Sequence, residues 1–442
     1  MGGQTVADEM LFDVGTAVPS QEDRWVGTPR VPRPVRNPLE FISSDLDSLL
    51  PDEHPARTVW SYVEKVDVSG QYDTLRAVEG GLGRSPIAPE ILLALWLYAT
   101  LDHVGSARTL AKLCAEHVAY RWLCGGVSVN DHTLADFRSQ SGTLLDEWLT
   151  DSVVRLRAAG AVTLERVALD GVRVRASAGR GSFKRKAKLE QFRQEAAAQI
   201  QSLQQELEAD PAVCDKRRKA ARERAVRERQ ERIAAALEVY PQVKAEQKHN
   251  KESARASTTD ADARIMHMPD GGFRPAYNVQ FVTDTGSLAI VGAEVLSNGS
   301  DGGQLPPAVQ QIQTRYGVTP KEALVDGGYV KRADIEQLAT AQPPCRVYAP
   351  PPELKTHDGR EVKPPSHESA AVKEWRERMK TAAAQQIYKE RAATAECVNA
   401  QARNRGFQQF VVRGLTKVRN VALLFAWAHT SARMTALLGR MG

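Results

Sequence analysis

The stretch that decides the fold is VALDGVRVRAS, residues 167–177, in which an apolar run ends at Asp170 and glycine follows at once. A second stretch, EALVDGGYV at residues 322–330, repeats the pattern with Asp326. The valines, and the alternation of apolar and polar residues after Asp170, are typical of a β-strand. A carboxylate at the end of a buried strand costs free energy unless another charge compensates it. The two positions therefore suggest two strands whose aspartates share a charge partner.

The sequence around these strands predicts an α/β fold with a mixed sheet. From residue 256 it shows a hairpin pattern that turns at residues 284–286, and then helix, strand, helix and strand patterns in alternation. Residues 183–255 are highly charged with helical spacing of apolar residues, which predicts a helical hairpin turning at Pro211. One basic face of this hairpin is suited to phosphates, and a solvated, salt-bridged helix pair is the open alternative.

The segment before the first strand, residues 41–160, predicts several short helices. Pro89 is expected in the first turn of an apolar core helix, Ser106 is expected to cap the next helix, and Asn130 or Asp131 the one after. Short helices with tight turns are typical of helix-turn-helix DNA-binding domains, and a packing or dimerisation domain fits equally well. Residues 1–40 are rich in proline, glycine and charge, which predicts a flexible leader.

Composition narrows the class of protein. The chain has 442 residues, enough for two or three domains, and its 42% hydrophobic and 26% charged residues are typical of a soluble globular protein. The net charge of +5 is compatible with a polyanionic partner without requiring one. Five cysteines without a C-x-x-C pair argue against a disulfide framework or a zinc cluster and favour a reducing compartment. We expect no signal peptide. We also expect no membrane span, because the apolar run at residues 421–429 is short and is better interpreted as a buried helix.

A third carboxylate completes the candidate site. We expect one helix from about residue 371 to 404, which carries Glu396, and a last apolar helix from about Val418. If Asp170, Asp326 and Glu396 meet, their charges repel one another, and Mg²⁺ with its preference for hard oxygen ligands relieves that repulsion. Two such ions activate a water or a 3′-hydroxyl and stabilise the leaving oxygen of a phosphodiester. From spacing alone, ordinary turns and a solvent-facing glutamate remain open.

Five blocks in order make the chain similar to bacterial insertion-sequence transposases of the DDE class, which have an InsH-type N-terminal domain and an RNase H-like catalytic domain. The blocks are residues 84–138, 167–178, 257–284, 297–329 and 388–429. The resemblance implies a helical DNA-binding or dimerisation domain at 41–160. It also implies a catalytic domain formed by 161–182 with 256–442, and a basic helical insertion at 183–255.

The resemblance also implies the activity and the site. Such a protein binds the terminal inverted repeats of its element, cleaves phosphodiester bonds and joins the 3′-hydroxyl ends to target DNA, using Mg²⁺ or Mn²⁺. It implies a homodimer in the synaptic complex and a cytoplasmic, nucleoid-associated location without a membrane. Asp170, Asp326 and Glu396 would be the catalytic, metal-binding acids. The residues implied to contact DNA are Tyr388, Arg391, Arg403 and Arg405.

Several alternatives accompany this reading. The broader family pattern has three residues between the arginine and the glutamate, whereas four separate Arg391 from Glu396 here. Asp260 is a competing acid for the site, Asp301 is expected to cap the helix that follows it, and His132 reads as structural or as a DNA contact. The rival functions are a catalytically idle DNA-binding protein, a nuclease without a joining step, and a coiled-coil structural protein. The insertion is hypothesised to clamp end DNA or the partner subunit.

Overall fold

The computed structural model describes residues 45–73, 85–209, 216–247, 250–352 and 368–438. The predicted leader at 1–40 and the predicted turn at Pro211 lie outside these ranges. Within them, the helices that precede the first long strand are α1 (Pro55–Val63), α2 (Ser69–Tyr72), α3 (Pro89–Leu101), α4 (Ala107–Glu116), α5 (Val118–Cys124), α6 (Asp131–Gln140) and α7 (Gly142–Ala158).

Local sequence signals set the boundaries of these helices. Pro89 opens α3, where its missing N–H costs no hydrogen bond. The side chains of Ser106 and Asn130 each accept the backbone N–H three residues later, at 3.4 and 2.8 Å, so both predicted caps are confirmed. Gly125, with φ of +56°, ends α5 in the left-handed conformation that favours glycine. His117 separates α4 from α5 because its backbone is extended.

The sheet region alternates strands with helices. Its elements are β1 (Arg166–Arg175), β2 (Phe183–Lys184), α8 (Lys186–Ala209), α9 (Lys216–Glu246), β3 (Ala256–Ser257), β4 (Arg264–His267), β5 (Phe273–Asp284), β6 (Ile290–Leu296), α10 (Leu305–Tyr316), β7 (Glu322–Leu324), α11 (Arg332–Thr340) and β8 (Arg346–Tyr348). The main sheet has the order β4-β5-β1-β7-β8, and β6 also pairs with β5. Strand β1 is antiparallel to β5 and parallel to β7, which is parallel to β8. The predicted α/β class with a mixed sheet is confirmed.

The tract between β1 and β4 is the helical hairpin that the sequence predicts. Strands β2 and β3 pair at its base, and α8 packs against α9. A small core there contains Leu189, Ala236 and Tyr240, and the Tyr240 hydroxyl donates to the Ala254 carbonyl at 3.0 Å. Ion pairs such as Arg229 with Glu195 link the two helices across their exposed sides. Exposed pairs of this kind contribute little stability, so the apolar contacts hold the hairpin together.

The C-terminal segment corrects one prediction. A single helix over residues 371–404 is wrong, because the chain forms α12 (Ala370–Lys380), α13 (Ala382–Arg391), a π-helical turn (Ala392–Glu396) and α14 (Cys397–Asn404). Thr381 breaks the first junction, since its backbone is extended and its hydroxyl accepts the Ala384 N–H at 3.2 Å.

The last helix, α15 (Leu415–Leu438), is part of the core. Within the described ranges it is the helix whose length and apolar composition would allow it to cross a membrane, and it is mostly buried by α7, β6 and α3. Thr430 both donates to the carbonyl and accepts from the N–H of Ile290, at 2.9 and 3.1 Å, which ties α15 to β6. The prediction of a buried helix is therefore confirmed.

Candidate active site

Two aspartates stand at the same level of neighbouring parallel strands. In the register of β1 with β7, Ala168 is paired with Leu324. Asp170 and Asp326 each follow that pair by two residues, so Asp170 within β1 and Asp326 just beyond the end of β7 lie at the same level. The proximity has an electrostatic consequence, because the charge of Asp326 contributes to raising the pKa of Asp170.

The Asp170 carboxylate is held by three groups. Its Oδ1 accepts the Gly171 N–H at 3.0 Å and lies 3.2 Å from Arg391 Nη2, while its Oδ2 accepts from Asn399 Nδ2 at 3.0 Å. Burial raises the pKa of Asp170 above its ordinary value, and the repulsion of Asp326 adds to this, against the lowering effect of Arg391. Asn399 was not found by sequence reasoning, although it follows Glu396 by three residues, which is the helical spacing that puts two side chains on one face.

Asp326 is oriented by the turn that it begins. Its Oδ1 accepts the Gly328 N–H at 2.8 Å, and a Cβ added at Gly328 would lie 3.1 Å from that same oxygen. Behind the two aspartates, the buried Tyr329 hydroxyl donates to the side chain of Gln280. Burial raises the pKa of Tyr329 well above its ordinary value, and neighbouring aspartate charges add to this. The phenol therefore stays a neutral donor beneath the aspartates.

Arg391 connects the third acid to the first. Its Nη1 donates to Glu396 Oε1 at 3.0 Å while its Nη2 faces Asp170, although the Glu396 side chain is 58% exposed. Burial alone would lower the pKa of Arg391, but the surrounding charges outweigh it and raise that pKa. The π-helical turn explains the spacing, because its i→i+5 geometry brings residues 391 and 396 onto one face despite the extra residue between them.

The predicted DNA-contacting residues divide into two groups. Tyr388 lies one turn before Arg391, and its pKa is raised by burial and by nearby charges that include Asp326. We call Asp170, Asp326, Glu396, Tyr388 and Arg391 the acid site. Arg403 is exposed near the end of α14, and Arg405 lines a separate cavity against the N-terminal helices. In the described part of the chain, neither forms an ion pair with the acids.

The prediction that Asp301 caps the following helix is wrong. Helix α10 begins after Gln304 without a side-chain cap, and the Asp301 carboxylate instead accepts from Asn278 Nδ2 at 2.6 Å and Gln280 Nε2 at 2.8 Å. A Cβ added at Gly171 would lie 2.7 Å from Asp301 Oδ1. This close approach is the physical reason for glycine directly after Asp170.

Asp260, the competing acid, lies elsewhere. It is buried and accepts the Tyr277 hydroxyl at 2.7 Å and the Gly414 N–H at 3.2 Å. Tyr277 is paired with Val174, four residues along β1 from Asp170. Asp260 therefore joins the sheet to the start of α15 and takes no part in the acid site. His132 is exposed on α6.

The acids fit a divalent cation in part. Within the described ranges, no group of three His, Cys, Asp or Glu side chains has the geometry to hold a metal ion. Asp170 and Asp326 nevertheless offer carboxylate oxygens at one level, and the buried Asn399 Oδ1 beside them has no hydrogen-bond partner among the described residues. Hard oxygen donors of this kind suit Mg²⁺ or Mn²⁺. Glu396 is linked to Asp170 only indirectly, because the Arg391 guanidinium contacts both carboxylates.

Comparison with known families finds two matching segments. The model described as "Transposase domain (DUF772)" matches residues 44–140, and the model described as "Transposase DDE domain" matches residues 341–435. The first match spans helices α1 to α6, and the second contains Glu396, Tyr388 and Arg391. No curated protein and no solved structure matches the chain.

Two separate segments of the chain thus match transposase families, and one of them is a DDE domain. These matches support the identification of the chain as an insertion-sequence transposase of the DDE class. DDE transposase domains generally use divalent metal ions, and the family suggests DNA as the partner.

Proposed function

We propose that the protein binds the terminal inverted repeats of an insertion sequence, cleaves phosphodiester bonds there and joins the 3′-hydroxyl ends to target DNA. The observation that carries the proposal is that Asp170 on β1 and Asp326 just beyond the parallel strand β7 lie at one level, with Arg391 of a later helix against Asp170. We further propose an RNase H-like catalytic domain. Its support is the strand order, in which antiparallel β5 and β6 lie on one side of β1 and parallel β7 and β8 on the other.

In this proposal Asp170, Asp326 and Glu396 hold Mg²⁺, or Mn²⁺ in its place. When bound, the ions supply activation of the attacking oxygen and stabilisation of the leaving one. The protein's own contribution is orientation. The Gly171 N–H and the Asn399 amide fix the two oxygens of Asp170, and the turn N–H of Gly328 fixes Asp326.

The basic groups of the proposal bind the DNA backbone. The Arg391 guanidinium contacts two carboxylates. Because phosphate accepts the same paired N–H donors, a scissile phosphate can take the place of these carboxylates. Tyr388 lies beside it as a hydroxyl donor, and the exposed Arg403 extends the contact along α14. Arg405 is proposed to bind phosphate at a second place, which is described below. Binding should weaken steeply as salt rises.

The remaining parts are assigned by their place in the chain. We propose that residues 41–160 recognise element ends or mediate dimerisation, that 161–182 with 256–442 form the catalytic domain, and that the insertion at 183–255 clamps DNA or the partner subunit. The synaptic complex would be a homodimer. Transposases of this family are typically soluble and cytoplasmic, and we propose a nucleoid-associated location.

Asp326→Asn tests the proposal. The substitution keeps the shape and the Gly328 contact but removes one charge, so DNA binding should persist while cleavage falls by about 10³-fold. Gel mobility of the element's own terminal repeat measures binding, and a divalent-metal cleavage assay measures the reaction. Asp270→Asn, at a position with a 66% exposed side chain in the turn before β5, is the matched control and should cleave normally. Unchanged cleavage by Asp326→Asn would refute the assignment.

A catalytically idle DNA-binding protein is the second candidate. Its specific support is that Arg391 neutralises both Asp170 and Glu396, which leaves the three acids without metal-binding geometry in the described ranges. The same cleavage assay separates the two, because an idle protein shows no cleavage in the unsubstituted chain. A strand-transfer assay with pre-cut ends then distinguishes a nuclease without a joining step.

A further inference from the structure

A cavity of about 360 Å³ lies between the N-terminal helices and the C-terminal segment. Its walls come from α3, the turn at 103–106, α6, the loop after α14 and α15. Aromatic side chains, among them Trp96, Phe407 and Phe410, cover much of it, and two arginines, Arg138 and Arg405, also line it. Its lining residues include no aspartate or glutamate. We call this cavity the arginine pocket.

Arg138 is buried, and no described residue places an opposite charge against it. The residue is 6% exposed, its guanidinium lies 4.1 Å from the Trp96 ring centroid, and its Nη1 donates to the Gly105 carbonyl at 2.6 Å. Its Nε has no hydrogen-bond partner in the described part of the chain. Burial lowers the pKa of Arg138 to about 10. A buried charge in this condition is costly unless an anion compensates it.

Arg405 brings a second uncompensated charge to the same cavity. It is half-buried, and burial lowers its pKa. Its buried Nη1 has no hydrogen-bond partner among the residues that the structure describes. Gly406, with φ of +79°, turns the chain directly after it, and a Cβ there would lie 3.7 Å from the His103 carbonyl. This turn sets the Arg405 backbone against the turn between α3 and α4. The pocket therefore carries two positive charges and no negative one from its own lining.

We propose that the arginine pocket binds a phosphate dianion, either inorganic phosphate or a terminal phosphomonoester. Guanidinium groups match the geometry of phosphate oxygens, and a phosphomonoester carries about −1.5 to −2 charge at pH 7, which balances two arginines where a single carboxylate does not. The aromatic walls lower the local dielectric constant, which strengthens the attraction. The dianion is either free phosphate or the 5′-phosphate at a DNA end. Only the second source rests on the proposed function.

Thermal unfolding of the full chain in inorganic phosphate, against chloride of equal ionic strength, tests the pocket. At phosphate about tenfold above its dissociation constant, the Tm of the unsubstituted protein should rise by about 2 °C. Arg405→Gln should abolish this rise. Arg138→Lys should reduce it, because lysine keeps the charge but lacks the paired N–H donors of the guanidinium. Arg108→Gln, at a 90% exposed position on α4, should keep the full rise.

The controls also separate binding from a general salt effect. Phosphate stabilises many proteins by exclusion from their surface, and that effect would raise the Tm of all variants equally. An equal rise in Arg405→Gln, or no rise in the unsubstituted protein, overturns the proposal. Equilibrium dialysis of the unsubstituted chain with labelled phosphate is independent of any variant's folding. About one bound phosphate per chain, lost with Arg405→Gln, is expected, and none would also overturn it.

Competition identifies the source of the dianion. A duplex with a 5′-phosphate that displaces labelled phosphate, where the same duplex with a 5′-hydroxyl does not, assigns the pocket to DNA ends. Equal failure of both duplexes to displace it assigns the pocket to free phosphate. Asp326→Asn should bind phosphate normally, so a failure of the cleavage chemistry is distinguishable from a failure of the pocket.

Discussion

The acid site and the arginine pocket are opposite solutions to the burial of charge. In the acid site, Asp170 and Asp326 repel each other, and Arg391 lies against the first of them. In the arginine pocket, Arg138 and Arg405 are withdrawn from water and no acid lines the cavity. Nearby carboxylates raise the pKa of Arg391, whereas burial lowers that of Arg138.

The difference shows whether each region supplies its own counter-charge or needs one from a bound ion. The acid site contains its own counter-charge, so a cation or a DNA phosphate has to compete with an internal ion pair. The pocket contains no counter-charge among its lining residues, so an anion entering it displaces only water. A surplus of positive charge should also act on its neighbours, and a titratable group beside the pocket reports on it.

His429 on α15 is that group, and it gives the largest expected effect. Burial lowers its pKa from 6.5 to about 4, and the charges of Arg405 and Arg433 contribute. The folded pKa lies below the unfolded one, so the stabilisation is complete above pH 6.5 and is lost as pH falls toward 4. The loss is about 3 kcal/mol. His429→Gln can still donate to the Leu288 carbonyl and should remove this loss, measured by urea unfolding at about pH 7 and about pH 4.

The control for this measurement is His132→Gln, because His132 is exposed on α6. It should leave the acid dependence of the unfolding free energy unchanged. Arg405→Gln should make the loss smaller, since one charge that opposes protonation of His429 is removed. If the free energy of unfolding of His429→Gln and of the unsubstituted protein depended on pH in the same way, the lowered pKa of His429 beside the pocket would be contradicted.

Much of the fold was predictable because its signals are local. The strand after residue 164, the helical hairpin and the caps at Ser106 and Asn130 follow from periodicity and from side-chain hydrogen bonds a few residues apart. The break at Thr381 carries a local signal of the same kind, since its hydroxyl accepts the Ala384 N–H, and the sequence analysis missed it. The π-helical turn was not predictable in this way. An alanine-rich segment has high helical propensity throughout, and tertiary contacts of the acid site decide where it deviates.

A substitution of Asn399 tests how the acid site prepares Asp170 for metal binding. Its amide is one of the hydrogen bonds that lower the pKa of Asp170, against burial. Asn399→Ala should therefore raise that pKa further and let protons compete better with a metal ion. We expect about tenfold weaker Mn²⁺ affinity, and a stronger loss at acid pH, in calorimetric titrations.

Asn404→Ala is the matched control for Asn399→Ala, since Asn404 is exposed at the end of the same helix. Its Mn²⁺ affinity should equal that of the unsubstituted chain. Equal affinities for both variants would mean that the Asn399 contact does not orient Asp170 for metal binding.

The site was predictable only as far as its residues carry a recognisable pattern. Asp170, Asp326 and Glu396 stand in such patterns, and their assignment as metal ligands stays a prediction. Asn399 and Asp301 contact the site through side chains that local sequence does not relate to it, and a capping role for Asp301 was the simpler local expectation. The arginine pocket combines α6 with the loop after α14, which are more than 250 residues apart, so only the folded chain brings Arg138 to Arg405.

The smallest expected effect comes from the N-cap of α6, and it distinguishes the stability of this helix from the charge of Arg138 on it. Asn130 accepts the Thr133 N–H at 2.8 Å and starts the helix that delivers Arg138 to the pocket. Asn130→Ala should lower the free energy of unfolding by about 1 kcal/mol, and Asn130→Ser, which retains a capping oxygen, should lose much less. Urea unfolding measures both. Because neither change alters a charge in the pocket, the phosphate-dependent rise in Tm should persist in both variants. Its loss in Asn130→Ala alone would show that the pocket depends on the position of α6 and not only on its two arginines.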